Sequence, residues 1–359
     1  MLLTSVKEHK KLLKKFSGYI LPVILTIIFL ILAFRGIDLK KSFALIAKTS
    51  ILWLFIYVII FLISHYIRAV RWKVIIQSVK PDASSLNLFG AVMIGYGVNC
   101  VIPRFGEIYR GLFLGKWEKI SRSTMIGTII VERVIDIISF GLASFLSVLF
   151  YSGDLFKKIV WLKPTLIIGF VIISVIIFIL VIIVKFEHGL TSSLFGFLNK
   201  INPKISNKFT ELISTLVDGF SSIKGQKNVF MIIVLTVLMF WIYALNTYVG
   251  FFMLHMHEVQ EIDMKMAWVF MAISAFGTLI PTPGGTGSYH IISIFILSKL
   301  YNFNYEVSAA YAILTHFIQY FVFVASTLLL IFIINKLREK KGESKENFIT
   351  VFNSNSGDK

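Results

Sequence analysis

The sequence predicts an all-α polytopic membrane protein made of two inverted-topology repeats, each of three transmembrane helices plus one re-entrant helical hairpin. Three observations predict it. Of the 359 residues, 57% are hydrophobic and 15% charged, and apolar runs close to the ~20 residues needed to cross a hydrocarbon core recur from end to end. Two such stretches are broken by nearly the same phrase, Val101-Ile-Pro-Arg-Phe-Gly-Glu107 and Leu279-Ile-Pro-Thr-Pro-Gly-Gly285. Offsetting the chain by 178 residues superimposes the two phrases and lays apolar runs of one half on apolar runs of the other. In lipid, backbone groups freed by Pro or Gly find no water, so such breaks persist only inside protein or beside a wet cavity. Paired breaks in corresponding halves are a mark of transport sites.

Taken in order, the first run, 19–34, follows a basic region of Lys7, Lys10, Lys11, Lys14 and Lys15 and has the outline of a secretory signal. It ends Ile31-Leu-Ala-Phe-Arg35 without the spaced small residues of a cleavage site, so an uncleaved first span is expected, with no soluble domain before it. Further full spans are expected at 51–67, 124–150, 165–186, 228–254 and 306–335. Within 165–184 only Thr165, Gly169 and Ser174 lie outside the apolar set, well beyond the ~14 apolar residues of a buried soluble helix. The first hairpin is expected over about 86–115, broken at Pro103 and Gly106. The second covers about 265–300 and carries Pro281, Pro283, Gly284, Gly285 and Gly287.

These elements divide the chain into a first repeat, 1–155, and a second, 156–335. The offset places 51–67 on 229–245 and 124–150 on 302–328, while 19–34 and 165–186 correspond only in order. The difference is an inserted polar stretch, 187–227, with Lys200, Lys204, Lys208 and Lys224, expected to form interfacial helices against anionic head groups. Residues 336–359, rich in Lys, Glu, Asn and Ser, are expected to be a disordered cytoplasmic tail.

Three crossings per repeat start the second copy on the opposite side of the membrane. With the N-terminus inside, segments 1–18, 68–85, 104–123, 185–227 and 336–359 hold 26 of the 36 Lys and Arg residues, and the opposite side holds nine. That excess predicts both termini in the cytoplasm. It also accounts for the net charge of +17 by topology, without a nucleic-acid partner. The single Cys100 excludes a disulfide framework and a cysteine metal site, and is read as small apolar filler. No cofactor is expected, and the oligomeric state is not legible.

The first candidate cluster is Asn99, Arg104, Glu107, Tyr109 and Arg110 around the first break. Two cations and a carboxylate near membrane depth are costly unless paired or wet. Glu107 and Arg110 stand one helical turn apart and can pair, which leaves Arg104 without a local partner and makes it the first choice for gripping a phosphate through a guanidinium fork. The second cluster is Glu132, Arg133 and Asp136 inside a span, with Glu132 and Asp136 on one face. Arg104 and Arg110 are expected to balance its charge. It is read both as a network pinning the hairpin and as a substrate contact, which are compatible; a metal there is disfavoured by the adjacent Arg133.

The third cluster is Thr282, Gly284, Gly285, Thr286, Gly287, Ser288, Tyr289 and His290. Successive glycines bring backbone amides close to an anion, and a helix starting near Ser288 aims its positive end there. The loop lacks the Lys-Ser or Lys-Thr ending of a nucleotide-binding loop. His316 and Gln319 occupy the span that repeats 124–150, near the positions matching Glu132 and Asp136, and are secondary cavity candidates. Arg68, Arg71 and Trp72 read as an interfacial anchor, and Asn246 as an interhelical hydrogen-bonding group.

Four phrases in this order, Arg68-Ala-Val-Arg-Trp72, Asn99 through Arg110, Val131-Glu-Arg-Val-Ile-Asp136 and Pro281-Thr-Pro-Gly-Gly-Thr-Gly287, resemble the flippase-like transmembrane domain of lysylphosphatidylglycerol synthases and its stand-alone bacterial and archaeal relatives. The resemblance covers nearly the whole membrane region. It implies a multi-pass protein of the bacterial or archaeal cytoplasmic (inner) membrane that handles amphipathic lipids, with movement of anionic or polyprenyl-phosphate lipids as the expected activity. Only about two dozen residues follow the last span, so the aminoacyl-transferase domain of the fused synthases is expected to be absent and an enzyme is not the preferred reading. Ser288 and Tyr289 stand where the resemblance implies a Glu soon after the glycines. The alternatives are a membrane-embedded transferase using Glu107, Glu132 or Asp136 as base, and a noncatalytic envelope partner.

Overall fold

The computed structural model describes residues 20–185 and 226–353, and among these every regular element is helical. The expected insert 187–227 falls almost entirely outside the described residues. Among the described residues, four helices are long and apolar enough to cross a membrane: α3 (Ile51–Ile76), α6 (Arg122–Phe150), α9 (Gln226–Met253) and α13 (Tyr305–Glu339). They correspond to four of the six expected spans. α3 continues nine residues past the end expected at 67, because Arg68 and Arg71 are buried and the helix does not stop at an interface there.

The first expected span is helical as far as Phe34 and is followed by a sharp bend. Helix α1 (Ile20–Phe34) meets α2 (Leu39–Ile46) at a bend of 90°. Gly36 takes φ +76° in the connection, the left-handed region open to glycine, and the Asp38 side chain caps α2 by accepting from the Lys41 amide. After the short α7 (Leu155–Lys158), the fourth expected span is α8 (Leu162–Lys185), 24 residues long.

Each expected break is flanked by helices. In the first, α4 (Ser85–Val101) and α5 (Gly106–Glu118) flank the break. Asn99 Oδ1 accepts the Gly106 amide at 2.9 Å, which satisfies one of the free donors at the start of α5. A Cβ at Gly106 would overlap the carbonyl oxygen of Gly95, so the second limb crosses the first at a spacing only glycine permits. At the far end Glu118 Oε1 accepts from the Ser84 amide and the Asn87 side chain, tying the limbs together again. In the second hairpin, α10 (Met264–Ser274) and the short α11 (Phe276–Leu279) lead into the break, and α12 (Ser288–Phe295) leads out through one π turn, Ile296–Leu300. Asp263 caps α10 through the Met266 amide at 2.7 Å, and a Cβ at Gly277 would come within 2.8 Å of the Ser288 carbonyl.

The chain divides into two compact units that interleave both halves of the sequence. Of the described residues, one holds 20–64, 93–106 and 241–330; the other holds 65–92, 107–185, 226–240 and 331–353. The first has an aromatic core of Phe251, Phe270 and Tyr311 with ring centroids 5.1–5.9 Å apart. The second is built on buried Trp72, Ile75, Ile76, Leu88, Phe113 and Leu114.

Residues 340–353 differ from the disordered tail expected after 335. α13 runs on to Glu339, and Asn335 and Glu346 then exchange two hydrogen bonds, one at 2.7 Å and one at 2.9 Å. Arg338 bonds the carbonyls of Ser344 and Trp117 and pairs with Glu343 at 2.9 Å. Phe348 and Phe352 set their edges against Tyr109 and Phe113. The polar composition of the segment concealed two aromatic anchors, each able to bury on the order of 150 Å² or more.

Candidate functional site

Within the second unit, Glu132 and Asp136 stand one turn apart on α6 and gather four guanidinium groups. Glu132 is fully buried. Its Oε1 lies 2.9 Å from Arg68 Nε and 3.3 Å from Arg71 Nη2, and its Oε2 accepts from Arg110 Nη1 at 2.7 Å. Asp136 pairs with Arg68 and Arg71 and with Arg133 at 3.2 Å. Glu107, half-buried on α5, meets Arg110 at 2.7 Å and Arg133 at 3.4 Å. Arg71 also donates to Thr236 Oγ1 on α9 at 3.2 Å, and the Arg110 guanidinium sits 4.8 Å from the centre of the Trp72 ring. Trp72 is itself fixed by donating to Thr128 at 3.3 Å.

The expected i, i+3 pair of Glu107 and Arg110 is present, and Arg110 balances Glu132 as expected. Arg104 does not join them. The reading of Arg68, Arg71 and Trp72 as an interfacial anchor is corrected: all three are buried, and the arginines are the principal partners of Glu132 and Asp136. Their spacing was a usable signal, because residues 68 and 71 share a helical face just as 132 and 136 do.

Within the first unit the two breaks meet. Arg104 takes φ +67°, a left-handed conformation that costs a non-glycine residue about 1–2 kcal/mol. Its exposed guanidinium donates to the Leu279 carbonyl at 3.0 Å, and among the described residues no carboxylate lies in ion-pairing reach of it. Gly284, with φ +58°, lies against the Tyr320 ring and the Cys100 backbone, and the Tyr320 hydroxyl donates to the Cys100 carbonyl. Gly287, with φ +86°, faces Thr26 and Phe29 of α1 so closely that a Cβ would lie 2.8 Å from both.

Two of the amides expected to face an anion, those of Gly285 and Gly287, have partners inside the loop. Gly285 donates to the Thr282 carbonyl at 3.0 Å, and Gly287 to His290 Nδ1 at 3.3 Å. His290 is buried, with its ring centroid 4.7 Å from that of His316. Thr286 sends its hydroxyl proton to Pro283 O at 2.7 Å, which assigns His316 Nε2, 3.0 Å away, as the donor to Thr286. Gln319 donates to the Tyr57 hydroxyl at 2.9 Å, a group that Asn246 also bonds. Of the other secondary candidates, Asn99 caps α5 and Tyr109 packs on Phe348 and Phe352. Among the described residues there is no group of three or more metal-ligating side chains of the His, Cys, Asp and Glu type.

The family described as the lysylphosphatidylglycerol synthase TM region matches residues 19–326. A UPF0104 membrane protein of Methanocaldococcus jannaschii is 23% identical over 333 residues, covering 89% of this chain and 96% of the relative. A second from the same organism is 30% identical over 254 residues, covering 68% and 98%. One from Methanothermobacter thermautotrophicus is 25% identical over 267 residues, covering 71% and 77%. No solved structure matches.

Proposed function

Because this multi-pass membrane protein belongs to the family of the lysylphosphatidylglycerol synthase transmembrane region, we propose that it moves a phosphate-bearing lipid, a phospholipid or a polyprenyl-phosphate-linked lipid, between membrane leaflets. The observation that carries the reading is Arg104. It is held on a strained backbone where two helix breaks meet, with a carbonyl rather than a carboxylate as its partner, so its charge remains available to an anion. A guanidinium binds phosphate by two parallel hydrogen bonds, while the lipid tails stay in the bilayer. The inverted arrangement of the halves, the re-entry of both hairpins and a cytoplasmic location of both termini in a bacterial or archaeal cytoplasmic membrane belong to the same proposal. The Lys and Arg distribution and the archaeal relatives support it.

A transferase would need a carboxylate free to accept a proton. Glu107 is engaged by two guanidinium groups, Asp136 by three and Glu132 by four, which disfavours that alternative. In proteoliposomes, the protein is expected to equilibrate labelled phosphatidylglycerol or a polyprenyl phosphate between leaflets, with Arg104→Ala slowing exchange at least tenfold at unchanged thermal stability. Wild-type protein that moves neither lipid, or an Arg104→Ala variant as fast as wild type, removes the proposal.

A further inference from the structure

The ion network on α6 carries one positive charge too many, and the excess is at Arg133. Four guanidinium groups face three carboxylates. Three of the arginines are deeply held: side-chain exposure is 6% for Arg68, 0% for Arg71 and 3% for Arg110. Together with Glu107, Glu132 and Asp136 they form a neutral set with contacts mostly at or below 3.3 Å. Arg133 differs in exposure and in hydrogen bonding. Its side chain is 37% exposed, and its three ion pairs measure 3.2, 3.4 and 3.5 Å. No directed hydrogen bond accompanies them, whereas Arg68, Arg71 and Arg110 each donate to a carboxylate of the set.

A surplus charge beside a network at membrane depth is unfavourable unless something neutralises it. We propose that Arg133 is an anion-binding residue: it receives a phosphate group at the exposed edge of the network, and the neutral set behind it serves as a fixed frame. The fork of an arginine suits a phosphate oxygen pair better than a point charge does. The phosphate class of ligand rests on the lipid-handling reading above, whereas the charge argument is independent of it. A lipid head group and free inorganic phosphate share this chemistry.

The test is binding, not transport. Purified protein in zwitterionic nanodiscs is titrated with phosphatidylglycerol in one arm and with inorganic phosphate in the other, for wild type, Arg133→Gln and Arg133→Lys. The expected result is an Arg133→Gln protein with an unchanged melting temperature and at least tenfold weaker phosphatidylglycerol binding, partly restored in Arg133→Lys. If Arg133→Gln instead weakens only the inorganic phosphate arm, the site stands with a soluble anion as its ligand. Unchanged affinity in both arms overturns the proposal. So does an Arg133→Gln protein that fails to fold, because the remaining six groups would then not be self-sufficient. Failure of leaflet exchange in wild type with Arg133-dependent binding intact would count against the transport reading alone.

Discussion

Glu132 is where a single substitution does most harm. It is a buried carboxylate accepting from several guanidinium groups, and neutralising it leaves those cations uncompensated. Breaking such a buried pair costs about 3–5 kcal/mol. Glu132→Gln is therefore expected to lower the melting temperature in detergent by many degrees, while Asp136→Asn, partly exposed and with fewer partners, costs less. Differential scanning fluorimetry of the two variants checks the order. The sequence announced that Glu132 and Asp136 needed cations, since carboxylates inside a span are rarely unpaired. It did not announce which cations. Arg68 lies 64 residues before Glu132 in the chain, and one sequence carries no direct record of so distant a contact. Arg104 and Arg110 were local alternatives, and only Arg110 reaches.

Helices and breaks were more legible than their ends. Long apolar runs fix α3, α6, α9 and α13, because only a helix or a closed barrel satisfies its own backbone in lipid. The hairpins were marked by Pro103, Gly106 and the Pro-Gly-Gly phrase. The 90° bend after Phe34 was signalled as well, by Gly36 and the capping Asp38, but hydrophobicity alone drew attention to the run before them. The crossing of α4 and α5 rests on the missing side chain of Gly106. Gly106→Ala is expected to force the limbs apart and to cost about 1–3 kcal/mol or more. Accelerated labelling of the single cysteine, Cys100, buried beside the break, reads out the separation.

For the molecule as a whole, the segment after α13 is the part least readable from composition. Its charges suggested a solvated end, yet Phe348 and Phe352 make it an ordered strap on α5. Phe348→Ala is expected to release it, seen as faster proteolysis beyond residue 340. Acid should do the same. The Lys119 hydrogen bond holds the Glu343 carboxyl below the usual carboxylate range, with Arg338 and Lys119 charges adding to it. Because the folded-state value is the lower one, docking is fully supported above the ordinary glutamate range and lost as pH falls through the depressed value. Proteolysis rates between pH 7 and about pH 3 should therefore rise at the acid end, and the rise should vanish in Glu343→Gln.

The buried arginines also bear on how the protein is made. α3 leaves the ribosome carrying Arg68 and Arg71 some sixty residues before the carboxylates that neutralise them, and a charge at the centre of a lone helix disfavours insertion by about 2.5–3.5 kcal/mol. α6, with Glu132, Arg133 and Asp136, faces the mirror-image penalty. Neither helix is a comfortable resident of lipid by itself, so the two must meet before release into the bilayer, and α3 must wait at the insertion machinery or at its wet edge until α6 arrives. A nascent chain stopped after residue 118 should still be crosslinkable to that machinery through α3, and one stopped after α6 has emerged should not.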